Sequence, residues 1–282
     1  MERPNIHRSG MGIWTVRRER AVPWAAIRLL CALLAAASIF LPSGGEAATA
    51  RSLQLLATWH SDAGIVLGGW NVSTSGSVNV VRHPLVETSI VALRDIDTGT
   101  DTFRRHARLL TLILAFHVLE DLPTREVVIQ SPLEETTGRV VDRSVIFVPV
   151  LRAGLAMLDA MSDFVPGSKV GFVGLERDEK TAIAHSYYQK LPAQLADAET
   201  IILDPMLATG GSAMATVELL KKNRARSIRL ACVVAAPEGI ELLHSRHPDV
   251  CIFTAVVDRE LNDRKFILPG LGDFGDRYFG TT

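Results

Sequence analysis

The chain has 282 residues, 48% of them hydrophobic, so it can bury the core of one domain of about 200 residues and still carry an extension. The formal net charge is −1, and residues 81–282 alone carry 23 basic against 27 acidic side chains. This balance argues against a nucleic-acid-binding surface, because such surfaces are strongly basic.

The first 80 residues form an N-terminal extension that differs in pattern from the rest of the chain. Residues 1–28 contain six arginines, and residues 29–41 carry no charge at all. Thirteen uncharged residues are too few for a secure transmembrane span. The segment has the form of a signal peptide or an organellar presequence, and a mispredicted start is the third alternative.

From residue 81 onward the pattern predicts an α/β domain that extends to residue 282. Two helices, at 83–93 and 102–122, would form a cap, and residues 125–129 and 138–141 would form a β-hairpin. Because the following strands alternate with helices, they predict a parallel sheet whose ligands bind at the carboxyl ends of the strands. The strands are expected at 145–151, 170–175, 200–203, 228–235 and 251–257, and the helices at 154–164, 211–222 and 238–246.

A glycine-rich turn joins the strand at 200–203 to the helix at 211–222. Asp204 comes directly after the strand, and Thr209-Gly-Gly-Ser212 leads into the helix. Backbone N–H groups at a helix N-terminus can hold a phosphate dianion without a lysine, and Gly210 and Gly211 permit a close approach. Asp204 would then face a sugar or a metal attached to that phosphate. Taken alone, the four turn residues could also be an ordinary strand-to-helix connection.

Two arginines stand at or near the ends of neighbouring predicted strands. Arg152 follows the strand at 145–151 and precedes Ala153-Gly154, and Arg177 follows the strand at 170–175. The planar guanidinium group binds diphosphate oxygens in pairs. The alternative for Arg152 is that it caps the sheet by reaching solvent.

The segment at 181–191 has two interpretations that the sequence leaves open. A connection of this length in a compact enzyme is often a lid or an oligomer contact. It could equally be a surface hairpin in which Tyr187 and Tyr188 pack for stability.

The C-terminal segment, residues 266–280, contains four glycines and a proline. This composition argues against a regular helix and predicts a tight loop whose backbone groups can face a ligand. A structural tail packed on the core is the alternative.

These motifs together resemble the uracil phosphoribosyltransferases of the type I phosphoribosyltransferase superfamily, and the resemblance spans residues 81–282. It rests on the strings Asp204-Pro-Met-Leu-Ala-Thr-Gly-Gly-Ser212, Val148-Pro-Val-Leu-Arg-Ala-Gly154, Gly174-Leu-Glu-Arg177 and the C-terminal segment, which occur in the family's order. The superfamily usually has two adjacent acidic residues after the strand. Pro205 stands in the second of these positions, as it does in the uracil family.

The resemblance implies an α/β, Rossmann-like parallel-sheet core with an N-terminal helical cap, a β-hairpin arm and a C-terminal base-binding loop. It implies transfer of 5-phosphoribosyl from phosphoribosyl pyrophosphate (PRPP) to N1 of uracil, which gives UMP and diphosphate, with Arg152, Asp204 and Asp273 as the catalytic residues. The implied PRPP ligands are Arg152, Arg177, Asp204, Pro205, Met206, Leu207, Ala208, Thr209, Gly210, Gly211, Ser212 and Asp273. Uracil would be bound at Ile267, Gly272, Asp273 and Phe274.

The resemblance also carries expectations about partners and location. Mg²⁺ is expected to arrive with PRPP without direct ligation by the protein, GTP is a candidate effector, and a homo-oligomer is expected. No nucleic acid and no membrane partner is expected for the core. Because PRPP is made and used inside cells, a cytoplasmic or organellar location is expected and secretion is not.

Two other classes of function are compatible with the same fold. A PRPP-binding regulator or pseudoenzyme would keep the phosphate loop but lack turnover, and the presence of Arg152, Arg177 and Asp273 argues against it. An RNA-binding regulator of pyrimidine genes would show a basic face, which the acidic balance of residues 81–282 disfavours.

Overall fold

The computed structural model describes residues 77–177 and 184–281. The targeting-like segment of the extension lies outside the described residues. A sheet with the strand order β1-β11-β10-β8-β4-β6-β7 forms the centre of the fold, and all its neighbouring strands are parallel except β6 and β7. Its strands are β1 (Val78–Val80), β4 (Ser144–Leu151), β6 (Phe172–Arg177), β7 (Ala184–Lys190), β8 (Ala198–Leu203), β10 (Ser227–Ala235) and β11 (Cys251–Val257).

Six further strands, six α-helices and a 3-10 helix (Leu195–Asp197) complete the described part of the chain. A hairpin is formed by β2 (Thr124–Gln130) and β3 (Glu135–Val141), while β5 (Lys169–Val170) and β9 (Met206–Leu207) pair with β4 and β10. The strands β12 (Glu260–Leu261) and β13 (Ile267–Leu268) pair with each other. The helices are α1 (Pro84–Arg94), α2 (Thr100–Val118), α3 (Leu155–Phe164), α4 (Gly211–Lys222), α5 (Pro237–Arg246) and α6 (Phe274–Phe279).

Alternate residues of the central strands build two hydrophobic layers, one on each face of the sheet. On β4, Val145 and Phe147 join the cluster that contains α1 and α2, whereas Ile146 and Val148 join the cluster that contains α4 and α5. Successive side chains of a strand point to opposite faces, so a strand covered on both faces must be apolar throughout. The helices predicted as a cap therefore cover one face of the sheet.

Specific hydrogen bonds mark the start of the first helix and the end of the second. His83 caps α1, because its Nδ1 accepts a hydrogen bond from the N–H of Leu85 at 3.1 Å, and Pro84 starts the helix where no N–H is needed. The second helix was predicted to reach residue 122, but it ends at Val118. There the Nη1 of Arg229 donates to the Val118 carbonyl at 2.7 Å and satisfies one of the carbonyls left open at the helix end.

Three further predictions about strands needed correction. The strand predicted at 170–175 is interrupted at Gly171, whose N–H donates to the carbonyl of Phe147 at 2.9 Å. The turn of the β2–β3 hairpin lies at 131–134, before the predicted position, so Gly138 pairs within β3. The sheet also includes β1, which precedes the predicted start of the domain at residue 81 and pairs with β11.

The segment at 181–191, which the sequence predicted as either a lid or a surface hairpin, contains β7, and β7 runs antiparallel to β6. The ring of Tyr187 lies over Gly174, where a Cβ would come within 2.6 Å of its Cζ. This arrangement fits the surface hairpin, and the lid stays a prediction. None of the helices in the described ranges is long and apolar enough to cross a bilayer.

Candidate active site

Three strand ends bring the predicted site residues to one edge of the sheet. Pro149 of β4 is in register with Leu203 of β8, and Leu151 of β4 is in register with Gly174 of β6. Because these strands are parallel, the residues that follow them, Arg152 and Asp204, lie at the same edge, and the backbone of Arg177 ends β6 there. The sheet therefore assembles residues that are up to about 50 positions apart in sequence.

The residues directly after Asp204 are fixed to the neighbouring strand β10. The carbonyl of Pro205 accepts hydrogen bonds from the N–H groups of Val233 and Val234, at 3.0 and 3.1 Å. Met206 and Leu207 form the short strand β9 against β10, and Leu207 is buried. Pro205, Met206 and Leu207 therefore give the loop its shape, and their contact with PRPP stays a prediction.

The N-terminus of α4 is open to a phosphate. Gly210 caps the helix with φ +80°, a conformation that favours glycine, and the N–H of Met214 makes a helical bond back to Gly210. The N–H groups of Gly211 and Ser212 precede that bond and have no intrahelical acceptor. A Cβ at Gly211 would meet only the Thr209 Oγ1, at 3.7 Å. The protein leaves space where a phosphate would approach the backbone.

A glycine that the sequence analysis gave no role shapes the same loop. A Cβ at Gly239, in the first turn of α5, would lie 2.4 Å from the carbonyl oxygen of Ala208. A Cβ at Gly210 would in turn lie 2.9 Å from the carbonyl oxygen of Gly239. The two backbones can approach this closely only because both residues lack a side chain. The signal in the sequence was a glycine inside a predicted helix. An isolated glycine at such a position often allows close packing against a neighbouring segment.

Asp204 is a half-buried carboxylate with a backbone hydrogen-bond donor beside it. Its Oδ1 accepts a hydrogen bond from the N–H of Met206 at 3.3 Å. Burial raises the pKa of Asp204 from 3.8 to about 6, and the bond from Met206 opposes this only in part. Burial also raises the pKa of the nearby Cys232 thiol to about 12, so Cys232 is a neutral thiol and not a nucleophile at neutral pH. Asp204 is therefore poised to accept a ligand hydroxyl or a hydrated cation.

Arg152 reaches across the site edge to the C-terminal segment. Its Nη2 donates to Oδ1 of Asp276 at 3.1 Å, and the Arg152 side chain is 60% exposed. The peptide bond between Leu151 and Arg152 is cis. The guanidinium keeps further N–H donors besides the one that Asp276 accepts. Arg152 can thus hold an anion while it remains bound to Asp276.

The C-terminal segment is a tight loop followed by a short helix, which corrects the expectation that it contains no regular helix. Asp273 caps α6, because its Oδ1 accepts a hydrogen bond from the N–H of Asp276 at 2.9 Å. Gly272 has φ +79° and Gly270 has φ +62°, and the bond from Leu268 to Pro269 is cis. The turn conformations that the glycines were expected to supply are present.

Two residues predicted to bind uracil place their side chains in the core. Phe274 is 1% exposed and packs edge-to-face on Phe103, with ring centroids 5.2 Å apart. Ile267 is 4% exposed and belongs to the same cluster. Their side chains are anchors for the loop, so only their backbone groups could face a base.

Two partly buried arginines, which the sequence pattern did not reveal, hold this loop in place. Arg94 forms two hydrogen bonds with the carboxylate of Asp258, at 2.5 and 3.1 Å, and the same carboxylate accepts from the N–H of Gly270 at 2.9 Å. Arg277 donates to the carbonyls of Leu93 and Leu271. Asp258 is 6% exposed and follows β11, so an acidic residue directly after an apolar strand was the available signal.

The fold and the site define the class of the protein. The parallel α/β sheet carries an acidic residue and a glycine-rich phosphate turn after one strand, β8, and an arginine after its neighbour in the sheet, β4. This is the arrangement of the type I phosphoribosyltransferases. Residues 77–177 and 184–281 contain no group of three His, Cys, Asp or Glu side chains that could hold a metal ion. Enzymes of this class generally use Mg²⁺ together with PRPP.

Comparison with known proteins gives the particular family. The model of the family described as uracil phosphoribosyltransferase matches residues 80–281, and the chain belongs to this family. Its members are enzymes that convert uracil and PRPP to UMP in pyrimidine salvage.

Individual relatives agree with this assignment. The uracil phosphoribosyltransferase of Rhodococcus jostii is 47% identical over 207 residues, 73% of this chain and 99% of the relative. That of Dictyoglomus thermophilum is 47% identical over 205 residues, with 72% and 99% covered. Among solved structures, the AQ2163 protein from Aquifex aeolicus is similar, with a TM-score of 0.70 and 33% identity over 73% of this chain and 99% of that one.

Proposed function

We propose that this chain transfers the 5-phosphoribosyl group of PRPP to N1 of uracil and releases UMP and diphosphate. The observation that carries the proposal is the meeting, at one sheet edge, of a phosphate turn, an unusually basic carboxylate and an arginine joined to the C-terminal loop. Each of these groups suits a different part of the two substrates.

The 5′-phosphate of PRPP would lie at the N-terminus of α4. The backbone N–H groups from Thr209 to Ser212 would donate to its oxygens, and the positive end of the helix dipole would favour its charge. Asp204 would accept hydrogen bonds from the ribose hydroxyls. Arg152 and Arg177 would bind the diphosphate, whose oxygens match the spacing of guanidinium N–H groups.

Magnesium would arrive with PRPP, and carboxylates of the chain would accept hydrogen bonds from its water ligands. Asp204 fits this role because its charge is only partly compensated by the Met206 N–H, and Asp273 could contribute its second oxygen while the first caps α6. Bound Mg²⁺ would neutralise charge on the diphosphate.

The chain would accelerate the reaction by positioning and by electrostatic stabilisation. Departure of diphosphate leaves positive charge on the ribosyl carbon and adds negative charge to the leaving group. Arg152 and Arg177 would stabilise the leaving group, and the Asp204 carboxylate would lie beside the ribose. No nucleophilic side chain is required, and the neutral Cys232 thiol does not supply one.

Uracil would be selected by backbone groups of the C-terminal loop. Its O2, N3–H and O4 edge presents acceptor, donor and acceptor, and backbone N–H and C=O groups near Ile267, Gly272 and Phe274 can match that order. Cytosine would leave about two of these groups unpaired, at roughly 1 to 3 kcal/mol for each. Because the Phe274 and Ile267 side chains are buried, specificity would depend on the shape of the loop.

The assembly state and the compartment are part of the same proposal. The β2–β3 hairpin exposes Val128, Ile129, Val140 and Val141, which are between 39% and 65% exposed. A second copy that covers this surface would give the homo-oligomer. An intracellular location, cytoplasmic or organellar, would supply PRPP, and GTP remains a candidate effector that can be added to the assay below.

The test is UMP formation from uracil, PRPP and Mg²⁺, followed in the wild type and in two variants. We expect Gly272→Val to abolish the use of uracil while PRPP binding is largely kept, because φ +79° strains a branched residue in the base loop. We expect Asp273→Asn to weaken PRPP binding as well, since this carboxylate is the group expected to face the ribose and its metal.

Gly167→Val is the matched control for backbone strain. Gly167 has φ +84° and open space around its Cβ position, and it lies between α3 and β5 outside the loop. The Gly167→Val variant should keep both the uracil turnover and the PRPP affinity of the wild type. Equal loss of PRPP affinity in Gly272→Val and Asp273→Asn would mean that the loop is a structural tail and that the base binds elsewhere.

A further inference from the structure

Asp276 contacts two residues of the proposed site, Arg152 through its carboxylate and Asp273 through its backbone N–H. Its Oδ1 accepts hydrogen bonds from Thr281 Oγ1 at 2.7 Å and from Arg152 Nη2 at 3.1 Å. Its N–H donates to the carboxylate of Asp273 at 2.9 Å. One residue of α6 therefore contacts the arginine of the diphosphate side and the acidic residue of the base loop.

The charge of Asp276 is secured by these partners. The hydrogen bond from Thr281, and then the Arg152 guanidinium, hold the pKa of the Asp276 carboxyl below its usual range. Asp276 is therefore ionised at neutral pH and is a charged acceptor for Arg152.

Close packing keeps the two segments together. A Cβ at Gly275 would lie 3.6 Å from the Cβ of Ala153 and 3.3 Å from Oδ1 of Asp273. The first turn of α6 thus lies against the residue that directly follows Arg152. Phe274, packed on Phe103, anchors this turn in the core from the other side. The Arg152 backbone and the base loop are held at a fixed separation.

We propose that Asp276 is a positioning residue for the transfer reaction, which holds the Arg152 guanidinium in the orientation that meets the diphosphate and ties it to the base loop. The proposal rests on the proposed function of Arg152. A long side chain that is 60% exposed would otherwise sample several rotamers, and fixing one of its N–H groups on Asp276 leaves the remaining donors directed to one place.

A competing effect of the same contact predicts the opposite result. If Asp276 mainly neutralised Arg152, its removal would free the guanidinium and strengthen the binding of PRPP. Positioning predicts that removal weakens catalysis with PRPP, because the arginine loses its orientation.

The experiment measures kcat and KM for PRPP and for uracil in Asp276→Ala, Asp276→Asn, Arg152→Ala and the double variant of Arg152→Ala with Asp276→Ala. For Asp276→Ala we expect kcat/KM for PRPP to fall about 5- to 50-fold, between the effect of a lost surface ion pair and that of a misplaced catalytic group. Asp276→Asn should recover much of this loss, since its amide oxygen can still accept from Arg152. With Arg152 already alanine, Asp276→Ala should add no more than about a twofold loss.

Asp163→Ala is the matched control. Asp163 pairs with Arg108 at 2.6 Å in an ion pair with both side chains more than half exposed, between α2 and α3 and outside the proposed site. Its kinetics should stay within about twofold of the wild type, as expected for a surface ion pair. Thermal unfolding of each variant identifies any that fails to fold. If Asp276→Ala does not fold, Asp276→Asn carries the test, because it removes the charge but keeps the acceptor, and a KM for PRPP below the wild-type value in it would overturn the positioning role.

The outcomes separate this proposal from the function it depends on. Wild-type kinetics in Asp276→Ala, a lower KM for PRPP, or full additivity with Arg152→Ala would overturn the positioning role while leaving the function intact. Wild-type kinetics in Arg152→Ala would instead overturn the diphosphate assignment of Arg152. Absence of UMP formation by the wild-type chain would overturn the proposed function itself.

Discussion

Asp204→Asn should stabilise the ligand-free protein while it removes activity. The folded chain raises the pKa of Asp204 to about 6, so burial disfavours the charged form of this carboxylate. The asparagine is neutral and nearly isosteric, and its Oδ1 can still accept the Met206 N–H. The substitution therefore removes a half-buried charge without opening a cavity.

The magnitude follows from the two pKa values. A raised pKa in the folded chain means that the folded state binds the proton more tightly than the unfolded state, so stability falls as the pH rises from about 4 to about 6. The difference between 3.8 and about 6 corresponds to about 3 kcal/mol at pH 8 and about half of that at pH 5. Asp204→Asn should recover this free energy, most strongly above pH 6.

The assay is denaturant unfolding of the ligand-free protein between pH 5 and pH 8 at one protein concentration. Asp159→Asn is the control, since Asp159 is exposed on α3 and its substitution changes the net charge equally. We expect no stability gain in the control and a loss of PRPP-dependent turnover in Asp204→Asn only. A stability gain that does not grow with pH, or none at pH 8, would refute the account of Asp204 as a half-buried, poorly compensated carboxylate.

The remaining predictions concern the phosphate loop and the start of the domain. Gly239→Ala should displace the phosphate loop, because the new Cβ would lie 2.4 Å from the Ala208 carbonyl oxygen. We therefore expect KM for PRPP to rise at least about tenfold. An unchanged KM would show that the loop tolerates the shift. A chain that starts at Val78 should fold and stay active, since it keeps β1, whereas a start at Val81 should lower the unfolding temperature through loss of the strand that pairs with β11. Equal melting temperatures for the two truncated chains would contradict this role of β1.

Local sequence patterns correctly predicted those helices and strands that are determined by residues close together in the sequence. The helix at 211–222 and the strand at 251–257 were predicted with the bounds that the structure has. A glycine turn starts the first, and a compact apolar run makes the second. Asp204 and Arg152 were placed at the sheet edge for the same reason, since each directly follows a buried strand and parallel strands end together.

The sequence determined the chemistry available to this protein, namely a phosphate turn, a carboxylate and an arginine at consecutive strand ends, because strand and helix periodicity and glycine placement are encoded by near neighbours. Only the tertiary structure decided which groups of the C-terminal segment face the core. It turned Phe274 and Ile267 inward and joined Asp276 to Arg152. These choices depend on partners more than 100 residues away, such as Phe103 and Arg152, and no local pattern contains that information.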